Sequence, residues 1–120
     1  MLVKDYMVKH PLMAEPEMSI VAAQRYMTEN NLRYLPVVGD GKRLLGLLTP
    51  QTMLIDPWRL ASLDIWEITR LLSDLKVRDV MVQARDVIVT NPDTPIEQAA
   101  VVMVKHRVGC LPVVSEGIVV

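Results

Sequence analysis

Apolar positions in this chain fall into short continuous runs and helical stripes, and the pattern occurs twice. Leu35-Pro36-Val37-Val38 returns letter for letter as Leu111-Pro112-Val113-Val114, at a spacing of 76. Proline lacks the N–H that a ladder uses and so suits the first residue of a strand. The valines favour extended backbone, and a run apolar on both faces predicts a buried strand. Upstream, Ile20, Ala23, Met27 and Asn31 stand at i, i+3, i+7 and i+11 and leave Arg25 and Glu29 for solvent. That period predicts a helix over Ser19 to Asn30, which Asn30-Asn31 can end in a left-handed turn. Ile96, Ala99 and Met103 repeat its apolar positions, again at 76.

Further matches keep the same order. Val3-Lys4-Asp5-Tyr6-Met7 pairs with Val77-Arg78-Asp79-Val80-Met81 at a spacing of 74, and Glu15-Pro16-Glu17 pairs with Asn91-Pro92-Asp93 at 76. The change places two extra residues near Gln83 to Asp86. Ordered matches with one small insertion are an internal duplication. Each copy reads as extended segment, helix, strand, strand. The first extended segment is Leu12 to Ala14. Gly39-Asp40-Gly41-Lys42 predicts a hairpin turn, with Arg43 to Thr49 as the returning strand. In the second copy, Thr94 as N-cap, Pro95 at N1 and Glu97 at N3 predict a capping box, and Lys105, His106 and Arg107 suit the negative helix C-terminus. Ser115-Glu116-Gly117 predicts the second turn, and Ile118-Val119-Val120 starts its return strand. The sequence stops before the rest of that strand and the last helix of the second copy.

Between the copies, Pro50 to Leu54 predicts a short helix broken at Asp56-Pro57. A second helix is expected from Asp64, as N-cap with Glu67 at N3, to Leu75. Its stripe is Ile65, Ile68, Leu72 and Leu75, with Leu71 at the edge. The units are then residues 1–56 and 77–120, with a helical connector over 57–76. Neither unit buries enough surface alone, so the two are expected to pack together.

Composition narrows the function. The chain has 120 residues, 51% of them hydrophobic, and a formal net charge of −1. Near-neutrality offers no electrostatic case for nucleic acid or an anionic membrane. No apolar run approaches the roughly 20 residues that span a bilayer, and the N-terminus has no signal-peptide core. Cys110 is the single cysteine, so a cytoplasmic setting is expected. Eight methionines and no phenylalanine leave packing to aliphatic side chains and thioethers. Two histidines and one cysteine make no zinc signature, and the sequence lacks GxSxG, HExxH, P-loop and GxGxxG motifs. No enzymatic activity is expected.

The duplicated order resembles a tandem pair of CBS domains, a Bateman module, over nearly the whole chain. The resemblance rests on V-x-D-x-M at Val3–Met7 and Val77–Met81, on the proline-bounded segments before each helix, on LPVV, and on Gly46-Leu47-Leu48-Thr49. The connector Leu60-Ala61-Ser62-Leu63, with Trp66-Glu67 and Leu71 to Lys76, is similar to the linker of AcuB-type proteins, named for acetoin utilisation. The resemblance implies a mixed α/β (α+β) fold: two β-α-β-β-α units packed sheet to sheet about a pseudo-twofold axis, the second incomplete at its C-terminus. It also implies two clefts that bind adenine-containing ligands (AMP, ADP, ATP, S-adenosylmethionine or NAD-type molecules), with no obligatory cofactor. A homodimer and a regulated partner enzyme or transporter are implied too.

Carried onto this sequence, the adenine-flanking positions are Leu12, Met13 and Ala14 with Tyr34, Leu35 and Pro36. In the second copy they are Ile88, Val89 and Thr90 with Cys110, Leu111 and Pro112. Apolar walls with free backbone N–H and C=O groups suit a flat heterocycle with polar edges. The same residues read equally as core, the valines above all. Thr49 resembles the family's ribose- or phosphate-binding Thr/Ser; with Pro50 at N1, it also reads as a plain N-cap. The family's Asp three residues later is Thr52 here, which offers one hydroxyl where a carboxylate accepts from two ribose hydroxyls. Arg33 and His106 are the phosphate candidates, while Lys105 and Arg107 read as helix-end charges and His10 as a surface residue. Cys110 reads as a small apolar wall. Two functions follow: a regulatory adenine-nucleotide-binding module, or a structural interaction module with empty clefts.

Overall fold

The computed structural model describes residues 1–52 and 63–120. The expected helix over Pro50 to Leu54, its break at Asp56-Pro57 and the linker residues Leu60-Ala61-Ser62 therefore lie wholly or partly outside the described residues, as does the side chain of Leu72. In chain order the elements are α1 (Ile20–Glu29), β1 (Leu35–Val38), β2 (Leu44–Leu48), α2 (Ile65–Asp74), α3 (Val77–Val80), β3 (Val82–Gln83), α4 (Ile96–His106), β4 (Val114–Ser115) and β5 (Ile118–Val119). Small antiparallel sheets with helices against them make the fold mixed α/β. No helix among the described residues is long and apolar enough to cross a membrane.

Local chemistry accounts for most boundaries. Ser19 caps α1 by accepting the Ala22 N–H at 3.1 Å, and Asn31 leaves it in the left-handed region at φ 54°. Asp64 caps α2 by accepting the Glu67 N–H at 2.8 Å. The second copy's expected capping box does not form. Its helix starts at Ile96 with Pro95 in the cap position and no side-chain cap bond. Pro95 is the repeat counterpart of Ser19 and has no side-chain oxygen to cap with, while the Thr94 carbonyl accepts the Val3 N–H.

That bond belongs to a reciprocal exchange that explains the V-x-D-x-M motif. Val3 N–H donates to Thr94 O, Lys4 N–H to Pro92 O, and Ile96 N–H to Met1 O. The counterparts hold in the opposite sense: Val77 N–H to Met18 O, Arg78 N–H to Pro16 O, and Ile20 N–H to Leu75 O. Each motif and the residues just before it thus supply backbone partners at the other copy's helix start, as buried backbone groups require. The valines are buried, and each aspartate turns back on its own segment: Asp5 accepts the Leu2 N–H and Asp79 the Lys76 N–H, both at 2.9 Å. Exposed ion pairs repeat the symmetry, with Lys4 on Asp93 and Arg78 on Glu17.

The core is less symmetric. Ala14, Ile20, Ala23, Met27, Leu35, Val37, Leu48 and Val77 form one buried cluster. Of the second copy's counterparts, Ala99 is buried, but Thr90, Ile96, Met103, Leu111 and Val113 are only half-buried. The second LPVV also forms less strand than expected. β1 pairs with β2 from Leu35↔Leu48 to Val38↔Leu44, whereas β4 pairs with β5 only at Val114↔Val119 and Ser115↔Ile118. A ladder cannot extend past its partner, and β5 is two residues long. The α2 stripe is likewise only partly covered: Ile68 and Leu71 are half-buried, but Ile65 is exposed beside Trp66.

Candidate functional site

The reciprocal exchange decides which residues can share a cleft. β2 pairs with β3 at Gly46↔Gln83 and Leu47↔Val82 and packs on the turn at Ala84–Asp86. Those two elements occupy the place of the two-residue insertion. Because β2 and β3 are antiparallel, Thr49, just past the end of β2, lies toward the Met81 side of β3 and away from the turn that leads on to Ile88, Val89 and Thr90. On the other side, β5 packs on the turn at Asp40–Lys42, and Ile118 to Val120 wall a cavity of about 390 Å³. Its remaining lining is Met7, Lys9, His10, Pro11, Met13 and Lys42. By sequence, Thr49 and Thr52 accompany the first copy's edge. In the structure, Met13 of that edge lines a cavity together with the second copy's return strand, so that side combines residues of both copies.

The sequence candidates divide by burial. Ala14 and Leu35 are fully buried, and Pro36 and Pro112 are buried, so their side chains belong to the interior. The expected free backbone groups are not at Ala14 or Thr90. Ala14 donates to Pro36 O and accepts from Val38 N–H; Thr90 donates to Pro112 O and accepts from Val114 N–H. Each residue forms a parallel bridge that consumes both groups. Met13, Tyr34, Thr49, Thr52, Ile88, Thr90, Cys110 and Leu111 are half-buried, while Leu12, Arg33, Val89 and His106 are exposed. Burial raises the Cys110 thiol above its ordinary value, which keeps it protonated at neutral pH.

Thr49 and Thr52 form a closed ring. The Thr49 hydroxyl accepts the Thr52 N–H at 3.2 Å, and the Thr52 hydroxyl accepts the Thr49 N–H at 2.8 Å. The Thr52 hydroxyl also donates to the Thr49 carbonyl at 2.9 Å. Its proton is thereby committed, whereas the Thr49 hydroxyl accepts and keeps its own proton for a further acceptor. The reciprocal pattern is that of a capping box with threonine in both places.

Between the copies, Tyr34 reaches Gly109. A Cβ placed on Gly109 would overlap the Tyr34 hydroxyl, so any other residue there would have to push the tyrosine aside. Gly109 is the repeat counterpart of Arg33, and the second copy has no cation at that position. Lys9, His10 and Lys42 around the cavity were not among the sequence candidates. Lys9-His10 precedes a proline and Lys42 ends a turn, which marks both as loops and says nothing of their proximity. Among the described residues, no cluster of three or more His, Cys, Asp or Glu side chains could hold a metal ion.

Comparison with known proteins gives consistent findings. The chain is similar to the crystal structure of a candidate acetoin utilization protein (AcuB) from Vibrio cholerae. The two are 28% identical with a TM-score of 0.81, over 100% of this chain and 81% of that one. It is similar to the CBS domain pair of protein MJ0100 in complex with 5′-methylthioadenosine and S-adenosyl-L-methionine, at 26% identity and a TM-score of 0.76 over 100% and 86%. CBSX2, from Arabidopsis thaliana, in complex with AMP matches at 27% identity and a TM-score of 0.76 over 98% and 85%. A curated relative, L-aspartate semialdehyde sulfurtransferase of Methanocaldococcus jannaschii, is 28% identical over 96% of this chain, which spans 20% of that protein's length. The CBS domain family matches residues 3–55 and again 77–120. The duplicated motifs, the exchanged backbone bonds and these matches agree: the chain belongs to the CBS domain family, as a tandem pair.

Proposed function

We propose that this chain is a non-catalytic regulatory module of the cytoplasm that binds an adenine-containing ligand between its two CBS units, residues 1–56 and 77–120, joined by the connector 57–76. The observation that carries this reading is the cavity of about 390 Å³ between Met7 to Met13 and Ile118 to Val120. Its size falls within the range of small-molecule sites, and its walls are apolar with few polar groups. Because each copy contributes a wall, a ligand there bridges them. It biases their packing by its differential affinity for two arrangements, which is how it would act on a partner enzyme or transporter. The ligands reported for similar CBS pairs, S-adenosyl-L-methionine, 5′-methylthioadenosine and AMP, define the class to test.

Thermal unfolding with AMP, ADP, ATP, S-adenosylmethionine and NADH, each at millimolar concentration, tests the reading. A ligand at about 100 times its Kd adds roughly 2.7 kcal/mol and raises the midpoint by several degrees. If none of the five moves the midpoint, the alternative stands: a structural interaction module with empty clefts. The hydroxyl ring at Thr49 and Thr52 favours that second reading, because it ties up the side chain at the family's ribose-binding position.

The proposal includes a homodimer. On α4, Val101 and Val104 are 63% and 79% exposed, one turn apart on the outer face. Paired apolar side chains left in water favour association. Light scattering at micromolar concentration should give twice the chain mass, and a monomer mass would remove this part of the proposal.

A further inference from the structure

We infer that a second copy of this chain docks on the outer face of α4, antiparallel to the first copy's α4 about a twofold axis, so that the two second units meet and α1 stays outside the contact. The inference rests on the homodimer reading above and adds the helix, the direction of packing and the ion pairs that set it. Glu97, Ala100, Val101, Val104 and Lys105 are all exposed. At about 3.6 residues per turn they share one side of the helix, with Val101 and Val104 in the middle and Ala100 beside them. The charges then choose the direction. Glu97 stands in the first turn of α4, and Lys105 and His106 stand in the last. An antiparallel neighbour brings each Glu97 to the partner's Lys105, while a parallel one opposes like charges at both ends. The face is therefore self-complementary, as a twofold contact requires.

The internal repeat singles out α4. At a spacing of 76, Ala100, Val101 and Val104 correspond to Gln24, Arg25 and Thr28 on α1. Those three are exposed as well, so the same outer face is polar in the first unit and apolar in the second. Seating α4 on the partner's α1 would take the Arg25 guanidinium out of water and set it against two valines, which is costly for an unpaired charge. Seating α4 on its own kind sets valine against valine and leaves Arg25 in solvent. Ile65 and Trp66 on α2 are also exposed, but Asp64 and Glu67 flank them. A twofold contact there would oppose carboxylate to carboxylate.

Sedimentation equilibrium at low ionic strength tests this, on the chain itself and on Val104→Lys, Arg25→Glu, Glu97→Lys, Lys105→Glu and the double variant Glu97→Lys with Lys105→Glu. All of these positions are exposed, so the variants should fold. Val104→Lys sets two ammonium groups near the twofold axis and should raise the dimer Kd on the order of tenfold or more. Arg25→Glu should leave it unchanged. Each single charge reversal should raise it several-fold, and the double variant, whose pairs are reversed but again opposite, should return it to within about twofold of the starting value. Both reversals also put the wrong charge at an end of α4, so the unfolding midpoint of the dilute monomer should be lowest for the double variant. Recovered association in the least stable variant is a result that helix stability alone does not give. A monomer at every concentration would overturn this inference and the homodimer reading together. A dimer that Val104→Lys leaves intact, or that Arg25→Glu weakens as much, would overturn the α4 contact and leave the homodimer standing. A double variant no tighter than the single reversals would overturn the antiparallel arrangement.

Discussion

Replacing Gly46 by alanine should destabilise the protein by about 3 kcal/mol, the upper part of the range for overpacking a tight interior site. The unfolding midpoint should fall by roughly 10 °C in a chain of this size. A Cβ on Gly46 would sit 2.5 Å from the Val82 carbonyl oxygen and 2.6 Å from the Met81 sulfur. The thioether can swing away. The carbonyl cannot, because Val82 is paired to Leu47 in the β2–β3 ladder. Relief therefore means opening the only sheet that joins residues of both copies through paired strands among the described residues. Gly41→Ala is the control. Gly41 lies at φ 69° with nothing within 4 Å of where its methyl would sit, so its cost is that of backbone conformation alone, about 1 kcal/mol. Urea unfolding of the two variants separates the effects, and equal midpoints would refute a special role for the Gly46 contact.

A second large effect should expose the asymmetry of the repeat. Leu35→Ala removes a fully buried side chain from the main core cluster and should cost about 3 kcal/mol. Leu111→Ala makes the same change at the matching position, where the side chain is half-buried. Its cost should be about half as large, since less apolar surface returns to water and no closed cavity remains. Equal losses in urea unfolding would mean that the second unit is as tightly packed as the first.

Much of this arrangement is legible in the sequence, for local reasons. The 3.6-residue period of Ile20, Ala23 and Met27 and the caps Ser19 and Asp64 act within one turn of helix, so α1 and α2 lie where the pattern puts them. The hairpin turns are equally local, as Gly41 and Gly117 adopt the positive φ their turns need. The failures have physical causes as well. Thr94-Pro95-Ile96-Glu97 carries a capping-box pattern, yet the helix begins one residue later than that pattern places it, at Ile96, so the cap position falls on Pro95, which has no side-chain acceptor. Ala14 and Thr90, expected to offer free backbone groups to a ligand, spend them on LPVV. Ile65 belongs to a clean apolar stripe and remains exposed, because periodicity defines a face without supplying what covers it.

Residue order alone determined the duplication, its two register offsets and the family, since equivalence between copies is a property of that order. Tertiary contacts decided which copy's groups meet. Backbone donors and acceptors at the helix starts must be satisfied, and they find partners in the opposite copy or, for Ile20, in Leu75 at the end of the connector. That exchange sets β2 against β3 and brings Met13, Lys9, His10, Lys42 and β5 around one cavity. Residue spacing carries no record of such pairings, because they depend on where two distant chain segments come together in space.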